Sequence, residues 1–410
     1  MRQCLLGTLL LAASNVQAQV HPVDISQGGK PSNSVRSAGV DAGDYVYISG
    51  QGARRSDGTM PDKFEEQASQ TLENIKAIVE AAGLNMEHVV YVQVYLEDVG
   101  NYEKLNGVFA KYFPNIPPAR AVLGVSRLSP SSIAINAVAV RDLTGRKPVT
   151  PPNYKSTEPF SPGILTHDRL FVSAMQGRDP LTNMVPDDPA AQTDLALDGV
   201  KAVVEAAGLK LSHIVFVNPY LTQRIPMWLM NEHYARRFEF GNTPARATIE
   251  VTALPHNAQI EYTGVAVRDL SLRHAVRPKN MPPSPTASPC VFAGETLYCS
   301  AKSGFIPGPN GGVYGATTAA QLRQTMRNQL DNLEEASMDF SQVVSTTVYL
   351  DSLSDSEAFN KVYAEYFKTI FPAQTLVQQL PSSTRSPDAE GHFPDLEQLS
   401  LVAVKRPPQN

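Results

Sequence analysis

The segment "TLENIKAIVEAAGLNMEHVVYVQVYLEDV", residues 71–99, decides the fold because it recurs twice in the same chain. "LDGVKAVVEAAGLKLSHIVFVNPYLTQ" (197–223) is a close copy, and "RNQLDNLEEASMDFSQVVSTTVYLDSL" (327–353) is a weaker one. Self-similarity at a fixed period is the signature of a repeated structural unit. The sequence therefore predicts three tandem units, each of roughly 130 residues, which is the size of a single domain.

Proline-rich segments separate the copies, at residues 146–162 and 277–289. They divide the chain into three predicted units, which span 19–148, 149–275 and 276–410, the last being the most divergent. A chain of 410 residues is long enough for several cores.

Each unit begins with a short predicted hairpin, such as "VFAGETLYCSA", which precedes a helix. The first helix has apolar residues at helical spacing and ends at a glycine, here Gly83. A strand, a second helix and two closing strands follow. The pattern is ββαβαββ, an α+β unit with its helices on one face of the sheet.

The N-terminus is typical of a secretory signal. Arg2 precedes a short apolar run, and small residues precede a predicted cleavage after Ala18. The prediction is a signal peptide over 1–18 and a periplasmic or secreted protein; the alternative is a partly buried N-terminal helix. Cys4 lies before the apolar run, which does not fit a lipoprotein cleavage site.

Composition excludes several partners. The net charge of −5 argues against a nucleic-acid partner, which usually requires a basic patch. Beyond the N-terminus, no stretch reaches the roughly 18 apolar residues of a membrane span. The eight histidines are scattered, and no Cys/His cluster has metal-ligand spacing. We therefore expect no metal and no cofactor.

Export would leave Cys290 and Cys299 in an oxidising compartment. A two-residue turn at Gly294-Glu295 would place them opposite each other, with Cβ atoms about 4.5–5.5 Å apart. The prediction is a disulfide that adds at most about 2–3 kcal/mol, because the closed loop is short. The alternative is a pair of buried thiols.

The phrase "TPARATIEVTALPHNAQIEYTGVAVRDL" (243–270) carries the candidate chemistry. Arg246 lies on the polar face of a predicted strand, and Glu261 lies in the next one. A tight hairpin around residues 254–255 would place Thr248 opposite Glu261, with Arg246 diagonal to it at about 7–8 Å. That arrangement puts a cation and a carboxylate in one cleft. The alternative is an arginine that holds an interface through an ion pair.

The repeated phrases resemble the RidA family of enamine/imine deaminases, also called the YjgF or L-PSP family. The resemblance covers nearly the whole chain after residue 18. It rests on "SGQ" (49–51), "VEAAGL" (79–84, 204–209), "PAR" (118–120, 244–246) and "IEYTGVAVRDL" (260–270).

Members of that family are usually small chains that form homotrimers with a ligand cleft between subunits. Three copies in one chain therefore imply a covalent pseudo-trimer, with sheets inside and helices outside, that is monomeric in solution. The alternative is three separate domains on a string.

The resemblance also implies roles for single residues. Arg246 would bind the carboxylate of a small imine or enamine acid, such as 2-iminopropanoate or 2-aminoacrylate, through its fork of donors. Glu261 would orient and deprotonate the attacking water. Ser173 and Asn231 match the family's hairpin-end serine and second-helix asparagine, so they would bind substrate.

Unit 1 departs from this pattern at the glutamate position, and its loop between the two closing strands is one residue shorter. It keeps Arg120, Ser49 and Asn106 as substrate-binding candidates, but Ala134 stands at the glutamate position. Because only unit 2 keeps both charged residues, the sequence predicts that its Arg246–Glu261 cleft reacts. Arg120 would then mark a cleft that binds without reacting.

Unit 3 departs further. Gln374 replaces the arginine and Gln398 lies near the glutamate position, although the equivalent serine and asparagine remain as Ser300 and Asn360. The aromatic residue that the family carries before its first strand occurs only in unit 2, as Phe160.

These observations favour a hydrolytic deaminase. The alternative is a non-catalytic scaffold of the same fold that binds small acids or a partner protein, and the two altered copies favour it. The family's older description as a ribonuclease conflicts with the acidic balance of this chain.

Overall fold

A computed structural model describes residues 20–23, 25, 35–152, 154–155, 158–308 and 312–405. The predicted signal peptide, 1–18, lies outside the described residues. Within them, no helix is both long enough and apolar enough to cross a membrane.

Unit 1 is the predicted ββαβαββ unit with a short strand added in front. Its elements are β1 (His21–Pro22), β2 (Gly39–Asp41), β3 (Tyr45–Gln51), α1 (Phe64–Ala81), β4 (Val89–Leu96), α2 (Tyr102–Tyr112), β5 (Ala119–Gly124) and β6 (Ile133–Val140). The apolar stripe of α1, which includes Leu72, Ile75 and Val79, is inaccessible to solvent and packs on one face of the sheet. Burial of this stripe is what makes the helix stable in the folded unit.

Unit 2 repeats this order, and its arginine strand is split into two short strands. Its elements are β7 (Lys147–Val149), β8 (Gly163–Leu165), β9 (Arg169–Gln176), α3 (Pro189–Ala206), β10 (Ile214–Leu221), α4 (Met227–Ala235), β11 (Ala245–Arg246), β12 (Ile249–Glu250) and β13 (Ile260–Val267). The sheet of unit 2 thus begins at Lys147.

Unit 3 has the same order of elements and contains the disulfide. Its elements are β14 (Arg273–Val276), β15 (Cys290–Ala293), β16 (Thr296–Lys302), α5 (Thr318–Glu335), β17 (Val343–Leu350), α6 (Ser356–Tyr363), β18 (Ala373–Gln378) and β19 (Glu397–Val404). Cys290 pairs with Cys299 across β15–β16, with Cα atoms 4.0 Å apart, and the two sulfurs are bonded. The predicted disulfide is confirmed.

The predicted hairpin between the two closing strands is wrong. In unit 1 the sheet order is β1-β2-β3-β6-β4-β5, so β6 lies between β3 and β4. β5 pairs with β4 in parallel and forms the sheet edge. The physical reason is the helix between them: β4–α2–β5 is a crossover connection, which brings the two strands side by side and parallel.

The three units close into a ring. The edge strand β5 packs against β9 of unit 2, β11 packs against β16 of unit 3, and β18 packs against β3 of unit 1. Apolar side chains from all three sheets meet inside, among them the equivalent Tyr95, Tyr220 and Tyr349, which are 0–2% exposed. The helices cover the outside. The pseudo-trimer prediction is confirmed, and each arginine strand lies at a boundary between units.

Candidate active site

Arg246 and Glu261 do not share a cleft, which corrects the sequence-based site. Arg246 pairs with Val217 of β10, and Val217 pairs on its other side with Gly264 of β13. Glu261 is three residues further along β13, so its backbone is about 14 Å from that of Arg246, given strand spacings of about 4.8 Å and about 3.3 Å per residue. The two side chains line different cavities, on opposite boundaries of unit 2.

Glu261 instead shares a cavity with Arg120 of unit 1. This cavity, called the 1–2 cleft, has a volume of about 290 Å³, and its lining also includes Tyr102, Phe160 and Gln176. Arg120 is 3% exposed and Glu261 is inaccessible, so they form the buried floor. Arg120 of unit 1 therefore meets Glu261 and Phe160 of unit 2 across the boundary between the two units.

Arg120 is held by side chains of its own unit. Its Nη2 donates to Asn106 Oδ1 (2.7 Å) and to Tyr102 Oη (3.2 Å), and its guanidinium lies 4.8 Å from the centre of the Phe109 ring. Phe160 of unit 2 covers it at 5.3 Å. Its Nη1 is buried without a hydrogen-bond partner among the described residues. One arm of the guanidinium fork is therefore anchored and the other is available to a ligand.

Glu261 is a buried carboxyl group with one unused oxygen. Its Oε2 accepts from Gln176 Nε2 (3.2 Å), whereas Oε1 has no partner among the described residues. Burial raises the pKa of Glu261 to about 8, against opposing effects of the Gln176 hydrogen bond and the charge of Arg120. The carboxyl can therefore gain or lose a proton near neutral pH, as an acid–base group must.

The wall of the 1–2 cleft contains a second polar contact between the units. Tyr102 Oη donates to Glu158 Oε2 (3.0 Å), and His256 Nε2 lies 2.7 Å from Glu158 Oε1. Burial acts to raise the pKa of Glu158, but the adjacent His256, the Tyr102 hydroxyl and the charge of Arg178 outweigh it, so the pKa is lowered. This contact holds Tyr102, and through it Arg120, against unit 2.

The hairpin-end serines hold backbone groups, two of them across a boundary between units. Ser173 Oγ accepts from the Arg120 N–H (2.7 Å) and donates to the Ser161 carbonyl (2.6 Å), so the hydroxyl is occupied and inaccessible. Ser300 makes the equivalent contact with the Arg246 N–H (2.8 Å). Ser49 donates to the Ala38 carbonyl (2.9 Å) within its own unit. These hydroxyls position backbone and are already engaged.

Arg246 lies in a separate cavity of about 460 Å³ between units 2 and 3, called the 2–3 cleft. Its Nη1 donates to Asn231 Oδ1 (2.8 Å), which repeats the Arg120–Asn106 contact. At the glutamate position stands Gln398, whose amide donates to Gln379 Oε1 (3.0 Å). The 2–3 cleft therefore has the arginine but not the carboxyl group of the 1–2 cleft.

The third boundary forms a wide groove of about 1330 Å³ between units 3 and 1. Gln374 and Ala134 occupy its arginine and glutamate positions, and Asn360 also lines it. Neither charge of the 1–2 cleft is present at these positions. Of the three clefts, therefore, only the 1–2 cleft combines the arginine and the glutamate.

Several residues of the 1–2 cleft were not predicted as site residues, namely Tyr102, Gln176 and Glu158. Gln176 ends the hairpin strand and pairs directly with Glu261. Phe160 is the single retained aromatic residue before a first strand, and its presence in the same unit as Glu261 is the sequence signal for this cleft. The helix between β4 and β5, which implies a parallel pair, was the signal against the hairpin.

The fold and the cavities define a class: an α+β ring of three repeats with a cleft at each boundary between repeats. The chain belongs to the Endoribonuclease L-PSP family, whose model matches residues 31–141, 151–268 and 280–383.

Among curated relatives, a RutC family protein of Saccharolobus solfataricus is 41% identical over 106 residues, which are 25% of this chain and 83% of the relative. The 2-iminobutanoate/2-iminopropanoate deaminase of Escherichia coli K12 is 37% identical over 112 residues, which are 27% of this chain and 88% of that enzyme.

Similar solved structures also match about one unit of this chain. The YjgF gene product from E. coli has 32% identity, a TM-score of 0.28, and coverage of 30% of this chain and 99% of that one. RidA from the Antarctic bacterium Psychrobacter sp. has 35% identity, a TM-score of 0.26, and coverage of 27% and 91%.

Proposed function

We propose that this protein hydrolyses small 2-imino acids, and their 2-enamine tautomers, to 2-oxo acids and ammonia in the 1–2 cleft. One observation carries the proposal: a guanidinium nitrogen of Arg120 and a carboxyl oxygen of Glu261 are both buried in one cavity, and neither has a hydrogen-bond partner within the part of the chain that the structure describes. Buried polar groups without partners are costly, so an arrangement that keeps two of them is typical of a site that a ligand completes. The E. coli relative named as an imine deaminase supports the same chemistry.

Arg120 supplies the specificity for an acid. Because Asn106 and Tyr102 hold Nη2, the free Nη1 can donate to a substrate carboxylate without rearrangement. A charge-assisted hydrogen bond of this kind contributes about 1.5–3 kcal/mol. The rings of Tyr102 and Phe160 exclude water from it, which strengthens the attraction.

Glu261 supplies the acid–base chemistry. As a carboxylate it takes a proton from a water molecule while the water oxygen bonds to C2 of the protonated imine, giving a carbinolamine. The protonated Glu261 then returns this proton to the nitrogen, the C–N bond breaks, and ammonia leaves as the C2 carbonyl forms and the hydroxyl proton is released to water. Gln176, which donates to the other carboxyl oxygen, keeps Oε1 directed for both steps.

The size and walls of the 1–2 cleft suit a small substrate. A volume of about 290 Å³ is near the lower end of ligand cavities. Val122 and Ala174 add apolar surface beside the charged floor. We therefore expect three- and four-carbon substrates to be accepted and large side chains to be excluded.

The test is ammonia release from 2-iminopropanoate, generated in situ, by the purified chain. The proposal expects acceleration above spontaneous hydrolysis, and little acceleration for 2-iminopropanamide, which lacks the carboxylate. Equal acceleration of the acid and the amide would remove the role given to Arg120.

A non-catalytic scaffold is the second candidate, and the altered 2–3 cleft and third groove are the observation that favours it. It predicts saturable binding of small acids with no ammonia released above background. The same assay, combined with calorimetric titration of pyruvate, separates the two functions.

We also propose that the chain is a monomer, because its ring of three units is already closed. Light scattering should give a mass near that of one chain, and a stable trimer would contradict it.

A further inference from the structure

The 2–3 cleft holds three charged groups that are not paired with one another. Arg246 and Glu250 come from the split strand of unit 2, and Lys302 comes from the end of β16 in unit 3. Glu250 is 9% exposed, and its Oε2 is buried without a partner among the described residues. A carboxylate in this state is incomplete without a cation or a hydrogen-bond donor.

Arg246 and Glu250 mark the two ends of one polar stripe. They lie four residues apart along the same face, which places their Cα atoms about 13 Å apart. Thr248 lies midway, and its hydroxyl is also buried without a partner among the described residues. The gap that remains between the two charged ends fits a short molecule that carries a negative group at one end and a positive group near the other.

Lys302 adds a second positive charge to the cleft. Burial lowers the pKa of Lys302, and no acidic neighbour among the described residues offsets that effect. The other charged lining residues are accounted for. Arg385 forms an ion pair with Asp351, and Asp395 lies beside that pair, where burial raises its pKa. Outside that group of side chains, the cleft is lined by two basic groups, Arg246 and Lys302, and one acidic group, Glu250.

We propose that the 2–3 cleft is a binding site for an acidic amino acid, a molecule with two carboxylates and one ammonium group. Arg246 binds one carboxylate, Lys302 binds the other, and Glu250 accepts the ammonium group, with Thr248 available for a further hydrogen bond. The charges of the ligand and the cleft then match one for one.

These charges are peculiar to this boundary. In the 1–2 cleft the positions equivalent to Thr248, Glu250 and Lys302 carry Val122, Gly124 and Met175. Gln398 replaces the acid–base carboxyl group, so the site binds its ligand without reacting. This inference is independent of the function proposed for the 1–2 cleft.

The test is isothermal titration of the full chain with L-glutamate and L-aspartate, and with two probes that each lack one group. Glutarate lacks the ammonium group, and L-glutamine lacks the second carboxylate. We expect one saturable site that prefers at least one of the acidic amino acids over both probes by about ten- to a hundredfold. No saturable binding, or equal binding of all four compounds, would overturn the proposal.

Two variants assign the groups. Lys302→Met, which installs the residue of unit 2, should abolish the preference for glutamate over glutamine. Glu250→Gln should abolish the preference for glutamate over glutarate. Because each readout is a ratio measured on one variant, partial loss of folded protein does not change it. Lys76→Met, at a half-exposed position of α1 outside the three clefts, is the control and should leave glutamate binding unchanged. Unchanged ratios in both cleft variants, or an equal change of the ratios in Lys76→Met, would contradict the assignment.

Discussion

The 1–2 and 2–3 clefts are built on equivalent strands of two units, β5 in unit 1 and β11–β12 in unit 2, but their side chains differ in chemistry. Each has an arginine whose guanidinium is fixed by an asparagine of the helix that precedes it, at 2.7 Å in one and 2.8 Å in the other. In the first cleft the neighbouring unit contributes a glutamate, and in the second it contributes a glutamine. In a homotrimer all three clefts share one sequence, whereas tandem copies can diverge. The comparison teaches that function here belongs to a boundary between two copies and cannot be assigned to one copy.

The largest expected difference between the clefts comes from Glu261→Gln. The variant keeps the size of the side chain and removes the base, so kcat for 2-iminopropanoate should fall by about 10²–10⁴-fold. Pyruvate binding should change far less, because Arg120 remains. A substitution at the equivalent position of unit 3, Gln398→Ala, should leave kcat near the wild-type value. A kcat for Glu261→Gln within threefold of wild type would contradict the assignment.

The same substitution should stabilise the protein. The pKa of Glu261 is raised to about 8 in the fold, so its burial destabilises the protein increasingly as pH rises from about 4.5 and levels off above about 8. Glu261→Gln should therefore raise the free energy of unfolding by up to about 4 kcal/mol at pH 8, and by little at pH 4. Urea denaturation at the two pH values measures this.

Glu397 is the control for that measurement. It is also inaccessible to solvent, and burial raises its pKa to about 8. Glu397 lies outside the 1–2 cleft, in unit 3, and accepts a hydrogen bond from the Thr325 hydroxyl. Glu397→Gln should give a similar gain in stability without loss of turnover. Loss of turnover in both variants would mean that the effect of Glu261→Gln is not specific to the cleft.

The pH dependence of turnover should follow the ionisation of Glu261. Because the carboxylate is the active form, kcat/KM should fall about tenfold for each pH unit below its pKa of about 8 and level off above it. Rates need correction for spontaneous hydrolysis at each pH. A flat profile between pH 6 and pH 8 would show that the neutral carboxyl group is sufficient.

The smallest expected effect is a gain of function in the 2–3 cleft. In a Glu261→Gln background, Gln398→Glu restores a carboxyl group opposite Arg246. We expect turnover to rise above the Glu261→Gln value while staying well below wild type, because the lining of this cleft differs at other positions. Gln398→Ala in the same background should give no rise. No gain would show that the glutamate alone does not distinguish the two clefts.

The repeats made most of the fold predictable. The copies at 71–99, 197–223 and 327–353 predicted three ββαβαββ units, and the residue spacing around Gly294 predicted the disulfide. The prediction that Arg246 and Glu261 share a cleft is wrong, because residues that are close in sequence need not be close in space. The parallel pairs β4–β5 and β10–β11 place Arg120 and Arg246 at sheet edges, where the neighbour is the next unit. Which unit closes each cleft depends on packing between sheets, and periodicity within one unit carries no information about it.

The central claim is that the 1–2 cleft, and not the 2–3 cleft, carries turnover, and the paired variants Arg120→Ala and Arg246→Ala test it most directly. Both remove a guanidinium bound to an asparagine, and because Arg120 also donates to Tyr102, the folded fraction of each variant is measured beside its kcat/KM. We predict that Arg120→Ala lowers kcat/KM for 2-iminopropanoate by about ten- to a hundredfold, while Arg246→Ala changes it less than twofold. The reverse result, with activity lost in Arg246→Ala and kept in Arg120→Ala, would contradict this account.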